Sequence, residues 1–465
     1  MKSFLILHIN KIKILFSIFF VIAIILSVSN RNGFLIGHSG FAGPHMVSNI
    51  LNKEKLKTEV LIDEIFYFNE KPFVSLYNHH PKLFFTISEF LINPYDTPLE
   101  ILNQSYRIAF VFNLIGIILF VFYVYHKSKS NNLAIFVLLS FFGVYNITSF
   151  LELFNFDSLS ILSTLLIYIF FDNFLKINKN RFLLIILIIF VLNISWYNHL
   201  FFYLIYLCKF LEIIFKNNNS IKIFISKSLI YLVPAISTSL YLVFDIYNTS
   251  IEFKDFELIG GIITKGFGSF TQNDMSIGYF CQEIFKFIIK TSPVVLLYLC
   301  ISKIKSISIN ENKFILIGVF ISVLVFFIID FKWNMIHQFL SIYIVSFFII
   351  VFSTSITDYK IISNKILISQ FVLSVTVFVI YNLQIENNNN LFDYAFLKKF
   401  EDKSKYLIVE NNEESKNIND MVLPQEINGG QLRFLSSLKY FKGISNNIIK
   451  DSTVILKINK DFEKK

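Results

Sequence analysis

The sequence predicts an all-α polytopic membrane protein of about eleven transmembrane helices, with a long first outer loop and a small C-terminal outer domain of mixed α/β type. Three observations carry this. Of 465 residues, 54% are hydrophobic and 16% charged, whereas a soluble domain carries roughly a quarter charged residues. Several apolar runs reach the roughly 17–25 residues that cross hydrocarbon. Lysines concentrate in short loops between alternate runs, as loops retained on the cytoplasmic side do. The net charge of +9 therefore marks topology. A nucleic-acid reading would need a basic face on a soluble domain, and the sequence offers none.

The first 29 residues carry Lys2, Lys11 and Lys13 before an apolar run. Val28-Ser29-Asn30-Arg31 is a poor cleavage site for a signal peptide, so the run reads as a retained first span, about 14–29. The lysines put the N-terminus inside, which delivers residues 30–104 outside as the first periplasmic loop. Span 2, about 106–125, returns to Lys127 and Lys129, and span 3, about 133–150, goes out again. The turn Glu152-Leu153-Phe154-Asn155-Phe156-Asp157 leads into span 4, about 158–171, which ends at Lys176, Lys179 and Arg181. The run 182–215 begins and ends beside basic loops, so it must go out and back, with Trp196-Tyr197-Asn198-His199 as the outer turn.

Span 7, about 229–247, is followed by a Gly-rich outer loop, 248–284. Spans 8 to 11 are read at about 285–301, 314–329, 338–354 and 366–383. The chain then divides into a membrane domain, 1–383, and a periplasmic C-terminal domain, 384–465. In the latter, Lys405 to Val409 and Thr453 to Lys457 read as strands. Three scattered cysteines, Cys208, Cys281 and Cys300, imply neither a disulfide framework nor a thiolate metal site.

Chemistry-bearing residues gather on the outer side. The first loop opens with Gly37-His38-Ser39-Gly40-Phe41-Ala42-Gly43-Pro44-His45 and holds Leu76-Tyr77-Asn78-His79-His80-Pro81-Lys82-Leu83. Four histidines fall in this loop, and His199 and His337 sit at later outer turns. Imidazoles serve near neutral pH as acid, base or phosphate-binding groups; they can also be there simply because polar residues stay out of hydrocarbon. Pro81 keeps His80 out of helical geometry, and Lys82 supplies a point charge suited to phosphate. The plainer reading is a helix start with incidental neighbours. Arg107, at the head of span 2, can hold a lipid phosphate bidentately or anchor the helix by snorkelling. Asp157 and Glu152 lie at the end of a span, where carboxylates are expensive unless they face protein or water. Asp157 can serve as a general base, its pKa raised by repulsion from Glu152, or simply complement a helix N-terminus.

The order of these elements resembles bacterial membrane glycosyltransferases of the C type: a Gly/His/aromatic patch after span 1, a Tyr-x-His-His-Pro element, then an Arg opening span 2. These are polytopic relatives of dolichyl-phosphate-mannose protein mannosyltransferases and of aminoarabinose transferases. The resemblance covers roughly the first 200 residues. It departs from the family in two places. Lys82 stands where a second Pro is usual, and Ser39-Gly40-Phe41-Ala42-Gly43 replaces the acid usual after span 1.

The resemblance implies an enzyme of the cytoplasmic membrane with its site on the periplasmic side. It would move a sugar from a polyprenyl-phosphate carrier to a hydroxyl on a glycan, lipid or protein. Asp157, Glu152 and His80 are the catalytic candidates; Asp63 and Glu64, or His38 or His45 in the absence of the usual acid, are alternative bases. His38, His45, His79, Lys82, Arg107 and His337 are the candidates for binding substrate. No cofactor is assigned, and a divalent metal is left open. No Walker loop, Rossmann fingerprint or His-Glu-x-x-His motif is present, so a soluble-nucleotide enzyme is disfavoured. The rival readings are a lipid-linked sugar transporter or flippase, a surface-polysaccharide polymerase or ligase, and a non-catalytic scaffold.

Overall fold

The computed structural model describes residues 2–29, 49–50, 62–68, 71–76, 82–93, 98–154, 156–173, 181–216, 218–252, 257–258, 277–308, 312–329, 340–389, 407–409, 421–422, 440–441 and 455–457. The chain is mostly helical, with a few short strands. Its long helices are α1 (Lys2–Ser29), α3 (Pro98–Ser128), α8 (Trp196–Lys216), α9 (Asn218–Glu252) and α14 (Asn364–Asn389). Between them lie α2 (Leu83–Glu89), α4 (Asn131–Phe142), α5 (Tyr145–Phe150), α6 (Ser160–Asn173) and α7 (Arg181–Leu192). Later come α10 (Ile277–Thr291), α11 (Val294–Ser302), α12 (Lys313–Ile329) and α13 (Leu340–Ser355).

Among the described residues, Glu100–Ser128, Tyr197–Ile214 and Asn364–Ile385 are long and apolar enough to cross a membrane. The pair Ile284–Thr291 and Val294–Ser302 makes a fourth if it crosses as one. The other apolar helices are shorter. The outward faces of the long and short apolar helices alike stay greasy: Phe19, Phe122, Phe182 and Leu240 are each more than 60% exposed. Helices this apolar associate through close packing and interhelical hydrogen bonds wherever lipid is their solvent. Gly318 of α12 shows the packing: a Cβ there would meet the Ile205 backbone of α8 at 2.6 Å. Phenylalanine fills the wider gaps, as in the edge-on Phe120–Phe141 pair at 4.9 Å. Hydroxyls inside the apolar helices bond back to their own backbone, as Ser140, Thr164 and Ser322 do.

Two segments read as single spans are broken. Span 3 divides at Gly143 and Val144 into α4 and α5. Side chains bond the backbone at the break: the Leu139 carbonyl, which keeps its bond from the Gly143 N–H at 2.9 Å, also accepts from Ser374 at 2.7 Å and Gln370 at 3.2 Å, and Phe142 accepts from Thr148 at 3.1 Å. In an apolar surrounding, irregular backbone survives only with such partners. Glycine at 143 lets the Gln370 side chain come in close: a Cβ there would meet Gln370 Nε2 at 2.2 Å. Span 8 bends by 83° between α10 and α11 at Ser292-Pro293, because proline cannot continue the hydrogen-bond ladder. The two broken segments touch, α10 against α5. The run 182–215, read as going out and back, divides into α7 and α8 at residues 193–195, so Trp196-Tyr197-Asn198-His199, expected as the turn, instead opens α8.

Among the described residues, seven strands form one sheet in the order β3-β2-β1-β6-β4-β7-β5. β1 (Ile62–Phe68) and β2 (Lys71–Leu76) are an antiparallel hairpin in register at Phe66↔Phe73. β3 (Glu257–Leu258) joins β2 in parallel, and β6 (Tyr440–Phe441) joins β1 in parallel. β4 (Leu407–Val409), β5 (Met421–Val422) and β7 (Ile455–Lys457) complete it. The strands expected near 405–409 and 453–457 are thus β4 and β7. They do not make a sheet of their own, since the first loop and the segment after α9 contribute to it. These three stretches therefore lie at one end of the helical array, termed here the sheet end.

Candidate functional site

The sheet end contains the turn between α5 and α6. Asn113 of α3 donates to the Leu151 carbonyl at 3.0 Å, and Ser158 donates to Leu153 O at 2.7 Å. These bonds tie the turn to the array. The next residues form a short 3-10 helix, Phe156–Leu159, which carries Asp157 into the protein. Asp157 is 1% exposed and Glu152 3%.

Three separate stretches meet at Asp157. Tyr343, in the first turn of α13, donates its hydroxyl to Oδ1 at 2.7 Å. Ser195, in the turn between α7 and α8, donates to the same oxygen at 3.4 Å. Tyr343 is held in turn by Tyr197 and by the stacked ring of Phe201. Burial pushes the Asp157 carboxyl up to about 8, against the pull of the hydrogen bonds from Tyr343 and Ser195. Burial, not the expected repulsion from Glu152, is therefore the cause. Near pH 7 the carboxyl is mostly protonated.

The neighbouring turn is a hydrogen-bonded block. Asn198 donates to Val191 O at 2.7 Å and accepts from Ser163 at 3.0 Å. His199 lies 2.8 Å from Leu192 O through Nε2 and 3.1 Å from Ser239 Oγ through Nδ1. The carbonyl takes a proton from Nε2, so Nδ1 accepts from Ser239. Side chains from the start of α8 thereby cap the end of α7, and Ser239 brings α9 into the same network. The imidazole expected at an outer turn is a packed, satisfied group.

The other predicted residues divide as follows. Lys82 lies immediately before α2, and its ammonium is paired with Asp245 of α9 at 2.9 Å. It is not the free point charge expected for phosphate. The α2 helix packs on the Asp157 turn, with Phe84 and Phe154 rings 5.1 Å apart. The helix that follows the His-His-Pro-Lys element thus reaches the carboxyl turn. Arg107 is exposed on α3, which starts at Pro98 rather than at the expected Tyr106. Glu64 lies in β1, beside a register irregularity at Asp63. His38, His45, His79, His80 and His337 lie outside the described residues.

Sequence reasoning missed Ser195, Tyr343 and Asp245. Ser195 had a signal, since it borders the polar turn at Trp196. Tyr343 and Asp245 sit within or at the end of apolar runs and had none. No three His, Cys, Asp or Glu side chains among the described residues gather as a metal site. An apolar crevice of about 460 Å³ runs between α1, α3 and α4, lined by Ile18, Val21, Ile118 and Phe122. It does not touch Asp157. No family model, no curated protein and no solved structure matches the chain.

Proposed function

We propose that the chain is a membrane glycosyltransferase that moves a sugar from a polyprenyl-phosphate carrier to an acceptor hydroxyl. In this reading eleven segments cross the cytoplasmic membrane and the sheet end faces the periplasm. Residues 384–465 add their strands to the outer cover. The observation that carries the reading is the buried Asp157 carboxyl, held by Tyr343 and Ser195 beneath the helix that follows the His-His-Pro-Lys element. An inverting transfer needs a base for the attacking hydroxyl, and a carboxyl with a raised pKa is a stronger base once ionised. Hydrogen bonds from Tyr343 of α13 and from Ser195 in the α7–α8 turn fix its position. Arg107 and the first-loop histidines would neutralise the departing phosphate. Profiling of lipid-linked sugars in a deletion strain tests the reading. An accumulating donor names the substrate, and an unchanged lipid pool rejects the transferase.

A second reading has its own observation. The broken segments α4–α5 and α10–α11 pack against each other, and discontinuous helices are how transporters build binding sites within the membrane. A lipid-linked sugar flippase would use them. Purified protein in vesicles separates the two: a flippase moves labelled carrier between leaflets without any acceptor, and a transferase consumes it only with one.

A further inference from the structure

Lys82 and Asp245 are 163 residues apart and come from different segments of the sheet end. The ammonium reaches both carboxylate oxygens, at 2.9 Å and 3.1 Å. Both side chains keep about a quarter of their exposure, so the pair alone is weak. A second tie joins the same two stretches. β2, just before Lys82, pairs with β3, just after α9, through Phe73↔Glu257 and Val74↔Leu258. With the strands paired, the ion pair closes only a short further loop and little chain entropy is left to lose.

From Lys82 the chain enters α2 at once; Thr86 donates to the Lys82 carbonyl through both its backbone N–H, at 3.0 Å, and its hydroxyl, at 3.2 Å. A seven-residue helix cannot hold itself together. Its place depends on what grips it. One grip is the burial of Phe84 and Phe85, with Phe84 against Phe154 of the carboxyl turn. The other is Lys82.

We propose that Asp245 anchors α2: through Lys82 it pins the helix start to α9 and holds α2 down on the Phe154–Asp157 turn as a cover that can open. The inference is independent of the transferase reading, because it concerns access to the turn and not the chemistry beneath it.

Ser88 of α2 is fully buried and donates to Phe84 O, so Ser88→Cys reports when α2 lifts. The full-length protein in detergent is treated with a bulky maleimide, and labelling is followed at each cysteine by mass spectrometry. Exposed Cys281 and buried Cys208 are internal controls. Lys82→Gln and Asp245→Asn should each speed labelling of Cys at 88 about two- to fivefold. Salt at about 1 M should do the same to the unaltered pair, since partly exposed charges are screened. The exchanged pair Lys82→Asp with Asp245→Lys should return towards the slow rate. The proposal is overturned if the single substitutions leave the rate unchanged, if the exchanged pair labels as fast as they do, or if Cys208 becomes reactive in parallel.

Discussion

Two carboxyls mark opposite ends of the same helical array, and their surroundings differ in kind. Asp172, near the end of α6, meets a full positive charge: Lys127 Nζ lies 2.8 Å from Oδ2, and the Tyr123 hydroxyl donates to the same oxygen at 3.0 Å. Lys127 also sits over the rings of Tyr123 and Tyr168, at 5.9 Å and 5.7 Å. Tyr168 then bonds to Asn312 and Thr354, so the cluster ties α3, α6, α13 and the start of α12 together. Asp157 is instead bonded by the hydroxyls of Tyr343 and Ser195 and is buried. A carboxylate matched by an ammonium has its charge answered and serves as a fastener. A carboxyl buried among hydroxyls is driven towards its neutral form and exchanges its proton near physiological pH. The second kind is where chemistry is expected.

The largest effect should separate the two directly. Asp157→Asn keeps the shape and removes the basicity, so transfer from a supplied polyprenyl-phosphate sugar should fall about 10²–10⁴-fold with donor binding largely kept. Asp172→Asn should leave transfer within a few-fold. Equal losses at both ends would abolish the distinction, and a fully active Asp157→Asn protein would return the base to Asp63, Glu64 or Glu152.

The pH dependence sharpens the same contrast. If Asp157 must be ionised to act, transfer should rise with pH along a limb centred near 8, and that limb should be absent in Asp157→Asn. Stability should run the other way. The folded pKa, about 8, lies above the ordinary 3.8. The favourable contribution from holding the proton is therefore complete below pH 3.8 and is lost progressively as pH rises to about 8. Thermal melting in detergent should fall between pH 5 and 9 in the wild type more steeply than in Asp157→Asn. Identical slopes would mean that the carboxyl is already ionised.

Tyr343→Phe removes a hydroxyl that holds the Asp157 pKa down, so the activity limb should move to higher pH. The lost hydrogen bond should cost about 1–2 kcal/mol of stability. A limb that stays in place would show that Tyr343 does not bond the reacting carboxyl. The smallest effect is expected at the other end. Lys127→Gln should lower stability by about 1 kcal/mol or less, since its side chain is 36% exposed, and should leave the pH profile of transfer unmoved.

Helix positions were largely legible in the chain. Apolar runs bounded by lysines mark α1, α3, α6, α8, α12, α13 and α14, because hydrocarbon admits little else. The Trp196 turn was readable for the same reason: a run too long for one span, with basic loops at both ends, has to reverse. The breaks at Gly143 and Ser292-Pro293 were not read. Each is a local signal whose outcome depends on distant partners, Gln370 and Ser374 in the first case. Asp157 was visible as an acid at the end of a span. A raised pKa was expected there from repulsion by Glu152, but its actual cause, burial, was not legible, because that depends on how deeply the turn is buried. Lys82 was visible as a charge beside Pro81, and its partner was not, since nothing in an apolar run such as that before Asp245 announces a contact with the first loop.

Composition and periodicity by themselves determined that the chain is mostly helical, that some helices are apolar enough for a membrane, and that the first loop and the 152–157 turn carry polar chemistry. These are properties of short stretches of chain, governed by transfer into hydrocarbon and by the helical repeat. Tertiary structure alone decided that three strand-bearing segments share one sheet, that Asp157 meets Tyr343 and Ser195, and that Lys82 is answered by Asp245. Each of these joins residues distant along the chain. A hydrogen bond or an ion pair depends on separations of a few ångströms, and only the packing of whole helices brings such residues that close.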